Sequence, residues 1–200
     1  TINQAVKIAK KYVYNSIKNS KKIGKGVRIT HSTASNRKIE LINSINDFKQ
    51  IKNIYKFIPE CQSNFVFTKS KPKKIQDVLG VSGRLVKSGK EIITAGEVEY
   101  GGSHHVATAV IQVNKKFPNV CSGLNIKFNT RIISKARDYG LTVLHYDRSK
   151  EPKKSKQKEG SSIKWGINIA VKTKTPDIIY HKGDIGKEPM ILVFGERPND

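Results

Sequence analysis

The chain has 200 residues, enough for one α/β domain with a short appended segment, and 36% of them are hydrophobic. No apolar run approaches the roughly 20 residues a membrane span needs and no signal peptide is evident, so a cytoplasmic protein without a membrane partner is expected. The formal net charge of +22, from 38 basic and 16 acidic residues, favours anionic partners such as phosphate esters, nucleic acid or an anionic surface. The plainer reading is a lysine-rich surface that serves solubility or heat stability. Cys61 and Cys121 stand apart with no CxxC or Cys/His spacing, which predicts two buried small hydrophobes in a reducing compartment and no disulfide.

In chain order, Ile2, Ala5, Val6, Ala9, Val13 and Ile17 share one stripe and predict an amphipathic helix from Ile2 to Ile17. The following SKKIGKGVRITHSTASN reads as a connector. Leu41, Ile45, Phe48, Ile51, Tyr55 and Ile58 recur at helical steps and predict a second helix ended by Pro59. Strands are expected at 63–68 and 123–128, a helical turn at 75–79, and a strand pair, GVSGRLV with EIITAG, around Ser88-Gly89. Helices are expected at 103–117, 130–139 and 161–171, and strands at 141–146, 177–180 and 190–194. This alternation predicts an α/β fold: a layered mixed sheet flanked by helices, some strands parallel, with an N-terminal helical extension. Ligands of such sheets gather beyond the carboxyl ends of strands.

Three glycine- and serine-rich turns stand at places where anions bind. Gly101-Gly102-Ser103-His104-His105 opens a helix, whose unpaired N–H groups and partial positive charge attract phosphate. With Arg84 just upstream it makes a candidate phosphate or diphosphate site; the alternative is a capped helix with two surface histidines. Gly160-Ser161-Ser162 is a second such opening, or a plain serine cap. Asp147-Arg148 ends a strand, either as an ordinary ion pair or with Asp147 on a metal or amine and Arg148 on phosphate. The lysine-rich run KEPKKSKQKEG is a solvated loop or a lid. GDIGKEP carries more charge than a hairpin needs, so Asp184 and Glu188 are candidates for Mg²⁺ and Gly186-Lys187 for phosphate. His145 reads as structural, and His31 and His181 suggest no partner. No Ser/His/Asp order, glycosidase carboxylate pair or Walker-type loop is present.

IPECQSNFVF, DVLGVSGRLV, GGSHHVA, HYDRSKEP, KEGSSIKWG and DIIYHKGDIGKEPMI, in that order, resemble the archaeal-type thiamine-phosphate synthase domain, the ThiN family, over roughly residues 40 to 197. Residues 1 to 29 resemble the closing helix of hydroxymethylpyrimidine (phosphate) kinases, which in many archaeal proteins precede this domain in one polypeptide. The resemblance implies a boundary between residues 1–36 and 37–200, with a kinase domain as covalent partner and no kinase activity in this part. It implies a transferase that joins aminopyrimidinylmethyl diphosphate to thiazole phosphate, releasing pyrophosphate, with Mg²⁺ as cofactor. The family's essential arginine and histidine match Arg84 and His105, though members often have serine where His104 stands. Asn64, Gly102, Ser103, Asp147, Arg148, Ser161, Ser162, Gly186 and Lys187 are then expected to bind substrate, and Asp184 and Glu188 the metal. The exposed first helix offers a docking face for a second copy. Two other functions stay open: a non-catalytic domain that senses a thiamine compound, and a basic nucleic-acid-binding module. The second lacks any clustered aromatic platform.

Overall fold

The computed structural model describes residues 2–18, 20–22, 24–30, 35–69, 71–152, 155 and 160–200. His31 and residues 153, 154 and 156–159 of the lysine-rich loop lie outside these residues. The chain divides into two units, Thr1–Glu40 and Leu41–Asp200. In the first, α1 (Ile2–Lys18) precedes a two-stranded hairpin of β1 (Lys21–Lys22) and β2 (Arg28–Ile29), whose Arg28 donates to the Ser20 carbonyl at 2.7 Å.

The helix α2 (Ser35–Gln50) buries Leu41, Ile45 and Phe48, but it stops eight residues short of the expected Ile58. Asn53 takes a left-handed backbone (φ 64°) that interrupts the helix, and Ile54–Phe57 form a short 3₁₀ turn instead. Ile54, Tyr55 and Phe57 still pack against the core, which is why the helical spacing outlasts the helix.

Seven strands of the second unit form one sheet: β3 (Phe65–Thr68), β4 (Val78–Val81), β7 (Val98–Tyr100), β8 (Ser122–Lys127), β9 (Val143–His145), β10 (Ile178–His181) and β11 (Met190–Gly195). Their order is β7-β4-β3-β8-β11-β10-β9, and only β9 and β10 run parallel. The hairpin of β5 (Leu85–Ser88) and β6 (Glu91–Thr94) stands apart as its own sheet, joined to the rest where Ser63 and Leu85 exchange backbone hydrogen bonds at 3.1 and 2.8 Å.

Strand side chains alternate between two faces, and each face is covered by helices. Phe65, Phe67, Leu79, Ile178 and Ile191 pack with α2 and with α4 (Thr130–Asp138). Val66, Val78, Ile179, Leu192 and Phe194 pack with α3 (His105–Asn114) and α5 (Ser161–Ala170). Helices on both faces of a mixed sheet match the expected α/β class. Among the described residues no helix is long and apolar enough to cross a membrane.

The helices α3 and α5 pack on each other, and glycine permits the tightest approaches. A methyl group at Gly166 would enter the Tyr146 ring, so α5 lies directly on that aromatic wall. Alanine favours helix by about 1 kcal/mol, but overpacking a core costs about 1–3 kcal/mol. Gly166→Ala should therefore lower the urea-unfolding free energy by about 1 kcal/mol. An unchanged or raised value would contradict this packing.

Candidate active site

Asn64 and Asn125 point from β3 and β8 toward the face that α3 and α5 cover, and both are buried. The Asn64 amide donates to the Val81 and Gly102 carbonyls (2.7 and 3.3 Å) and accepts the Val81 N–H at 3.0 Å. Asn125 accepts the Asn64 N–H at 2.7 Å and donates to the Gln62 carbonyl at 2.9 Å. Two amides thus tie three chain segments together: the entry to β3, the exit of β4 and the turn before α3. Asn64, expected to bind substrate, also lines the cavity between the starts of α3 and α5, and its amide makes these three backbone hydrogen bonds.

The exit of β4 is strained. Arg84 adopts φ 68° and Gln62 φ 69°, left-handed conformations that cost an ordinary residue roughly 1–2 kcal/mol each. Arg84 is held by its Nη1, which donates to the Cys61 carbonyl at 2.6 Å, and by its own carbonyl, which accepts from Ala95 at 3.0 Å. Glu188 reaches the same segment from the opposite loop, where its two oxygens accept the N–H groups of Glu60 and Cys61 at 2.9 and 3.0 Å. Burial opposes ionisation of Glu188, but these two bonds outweigh it and its pKa is lowered. Cys61 is exposed rather than buried as expected. Partial burial and then the Glu188 charge push its thiol up to about 11, so it is protonated at neutral pH and is no nucleophile.

The turn after β7 folds back across β4. Gly101 takes φ 83°, and a methyl group at Gly102 would collide with the Gly80 carbonyl, so only glycine allows this crossing. Ser103 is buried against Gly80, and α3 begins with His104 and His105 exposed. His104 has no side-chain capping bond, and its carbonyl accepts the Thr108 N–H and hydroxyl.

A cavity of about 750 Å³ opens between the starts of α3 and α5. Of the expected set it gathers Asn64, Arg84, Gly102, Ser103, His105, Arg148, Ser162, Gly186, Lys187 and Glu188, with His104 beside them. Three expected residues do not line it. Asp147 accepts the Ser149 N–H and hydroxyl (3.0 and 2.7 Å) to start a 3₁₀ turn. Ser161 follows Gly160 as the first helical residue, and Asp184 lies in the hairpin turn, accepting the Ile185 N–H at 2.9 Å.

Of the two carboxylates expected to bind Mg²⁺, Glu188 lines the cavity with both oxygens accepting backbone N–H groups, and Asp184 lies outside the lining. Among the described residues no group of three His, Cys, Asp or Glu side chains could hold a metal. Mg²⁺ needs only one or two carboxylates plus phosphate oxygens and water, so an ion carried on a substrate remains compatible with this cavity.

The far wall holds residues that sequence patterns did not single out. His181 is 6% exposed at the end of β10; its Nδ1 accepts the Gly183 N–H at 3.2 Å and its ring lies 5.2 Å from that of Tyr146. Arg148 pairs with buried Glu151 at 3.2 Å, and Arg148 Nε and Glu151 Oε1 are buried without a hydrogen-bond partner among the described residues. Strand alternation was the available signal, since His181 falls on the same face as Ile179.

Burial, and then the charge of Arg148, push the His181 pKa down to about 4. Between pH 6.5 and 4 the unfolded chain binds a proton at this position that the folded chain refuses. The stability His181 contributes is full above pH 6.5 and is lost as pH falls toward 4, a change of order 3 kcal/mol. Urea unfolding across this range should show that loss, and His181→Gln should flatten it. An equal pH slope in both proteins would contradict a neutral buried imidazole.

The profile of the family described as Thiamine-phosphate synthase ThiN matches residues 40–200. Thiamine-phosphate synthase ThiN of Methanothermobacter thermautotrophicus is 42% identical over 161 residues, covering 80% of this chain and 82% of that protein. The bifunctional thiamine biosynthesis protein ThiDN of Methanocaldococcus jannaschii is 32% identical over 199 residues. That match covers 97% of this chain but only 46% of the bifunctional protein. The crystal structure of the C-terminal domain of phosphomethylpyrimidine kinase superposes with a TM-score of 0.77 at 42% identity, covering 82% of this chain and 94% of that one. The chain belongs to the thiamine-phosphate synthase ThiN family.

Proposed function

We propose that Arg84, His105 and the start of α3 bind and release the diphosphate in the thiamine-phosphate synthase reaction of this chain. The enzyme is a transferase of thiamine biosynthesis. The C–O bond of aminopyrimidinylmethyl diphosphate breaks, pyrophosphate leaves with the electron pair, and the thiazole nitrogen donates its lone pair to the methylene carbon, giving thiamine phosphate. The single observation that supports these residue roles is that Arg84 and His105 line one cavity at a helix start, although 20 residues separate them.

Donors preorganised around a leaving group supply a large share of catalysis because they meet negative charge as it develops. Arg84 offers a planar fork of N–H groups, already oriented through the Cys61 carbonyl. His105 donates to a leaving oxygen, and the backbone N–H groups at the start of α3 complete the cradle. Gly160–Ser162 and Gly186–Lys187 receive the second phosphate at the other helix start. A Mg²⁺ ion bound to the diphosphate oxygens would neutralise part of the leaving group's charge. Residues 1–36 are read as the end of a preceding kinase domain, with the 199-residue match to a bifunctional relative as support.

The strained backbone yields a divided outcome. Arg84→Gly should lower kcat for thiamine phosphate formation about 100-fold or more, the scale of losing one transition-state donor. It should leave unfolding free energy unchanged or raise it by up to about 1 kcal/mol, because glycine adopts φ 68° without a Cβ clash. His105→Ala should reduce kcat comparably, while His104→Ser stays within about threefold, on the scale of a group outside the transition state. Near-normal rates for Arg84→Gly or His105→Ala in a product assay would reject these roles.

A further inference from the structure

The cavity is chemically uneven from end to end. Its α3 end has Arg84, His104 and His105 at a helix start, whereas its β10 end is walled by Tyr146, Ile163, Met190 and Leu192. Arg148 in that wall is offset by the buried Glu151 carboxylate. His181 stands in the same wall with Nδ1 occupied by the Gly183 N–H, which places the proton of the neutral ring on Nε2. Aromatic and apolar walls beside a neutral ring N–H donor suit a flat heteroaromatic ring that presents an acceptor nitrogen.

We infer that His181 is the residue that recognises the aminopyrimidine ring, donating its Nε2–H to a ring nitrogen, while Glu151 acts through Arg148 to keep that end of the cavity electrically neutral. The assignment rests on the synthase reading given above. Thiazole is the poorer occupant, because its nitrogen must keep a free lone pair to attack carbon and an N–H donor there would block it. The pyrimidine nitrogens take no part in bond making. Its methylene also links the ring to the diphosphate, so the ring falls within reach of the cradle at Arg84 and His105. Departure of pyrophosphate leaves positive charge on the ring and methylene. A charged imidazolium would oppose that charge, and burial holds His181 neutral, with its pKa pushed down to about 4. Tyr146, whose phenol is pushed up to about 12 chiefly by burial, is neutral as well.

The test is calorimetric binding of 4-amino-5-hydroxymethyl-2-methylpyrimidine, which carries the ring without any phosphate, alongside inorganic pyrophosphate. His181→Phe keeps a ring but removes the donor, and His181→Gln places an amide N–H near the Nε2 position. The pyrimidine should bind the unchanged chain and His181→Gln within about threefold of each other, and His181→Phe at least tenfold more weakly. Pyrophosphate binding should stay within twofold in both variants, and Arg84→Ala should show the reverse pattern. Equal pyrimidine binding by the two His181 variants, or a parallel loss of pyrophosphate binding, would overturn the assignment. If His181→Phe does not fold, His181→Leu makes the same comparison with His181→Gln. The probe needs no turnover, so a chain that binds pyrimidine through His181 yet forms no thiamine phosphate would keep the subsite and lose the synthase reading.

Discussion

Two buried amides hold this site together. Asn64 and Asn125 leave no route for the entry to β3, the exit of β4 and the Gly101-Gly102 turn to move independently, because each segment supplies backbone groups to the same pair. A buried amide that loses a partner costs about 1–3 kcal/mol, so the segments shift together or not at all. Arg84 and the start of α3 inherit their relation from this constraint. The strain at Arg84 and Gln62 persists because the surrounding bonds outnumber it: the Arg84–Cys61 contact, the Glu188 bridge and the Ser63–Leu85 pairing.

This arrangement refines what a charge of +22 means for the protein. The surface field draws in phosphorylated substrates from a distance, but it does not distinguish one part of a substrate from another. Discrimination comes from the cavity, where Arg84 and the start of α3 attract anions and the charge of Arg148 is offset by the buried Glu151 carboxylate. A reaction that separates a diphosphate from a cationic carbon requires that asymmetry. Uniform positive charge would bind both substrates and hinder the step between them.

Much of this could be read in the sequence, for reasons particular residues make clear. Gly101, Gly102 and Gly160 announced the helix openings because only glycine tolerates their backbone or their close neighbours. The apolar spacing of α3, α4 and α5 and the strand alternation placed the layers. Asn53 hid the end of α2, since an isolated asparagine carries little warning of a left-handed backbone and Ile54, Tyr55 and Phe57 continue the apolar pattern. Function was harder to separate from scaffolding among polar residues. Asn64 and Glu188 stood in the right motifs but serve backbone N–H and carbonyl groups, and nothing local reveals that partners 17 and 128 residues away need them. His181 suggests no partner in the sequence because its surroundings come from β11, Tyr146 and Arg148 closing around it in three dimensions.

The central claim is that Arg84, His105 and the opening of α3 form one cradle that takes a diphosphate from its carbon. A crystal structure of the chain with a non-hydrolysable methylene-diphosphate analogue of the pyrimidine substrate tests this most directly. The account predicts density for the two phosphoryl groups between the Arg84 guanidinium and the first N–H groups of α3, with His105 in hydrogen-bond reach. Diphosphate density at the start of α5, with Arg84 and His105 touching nothing, would contradict it.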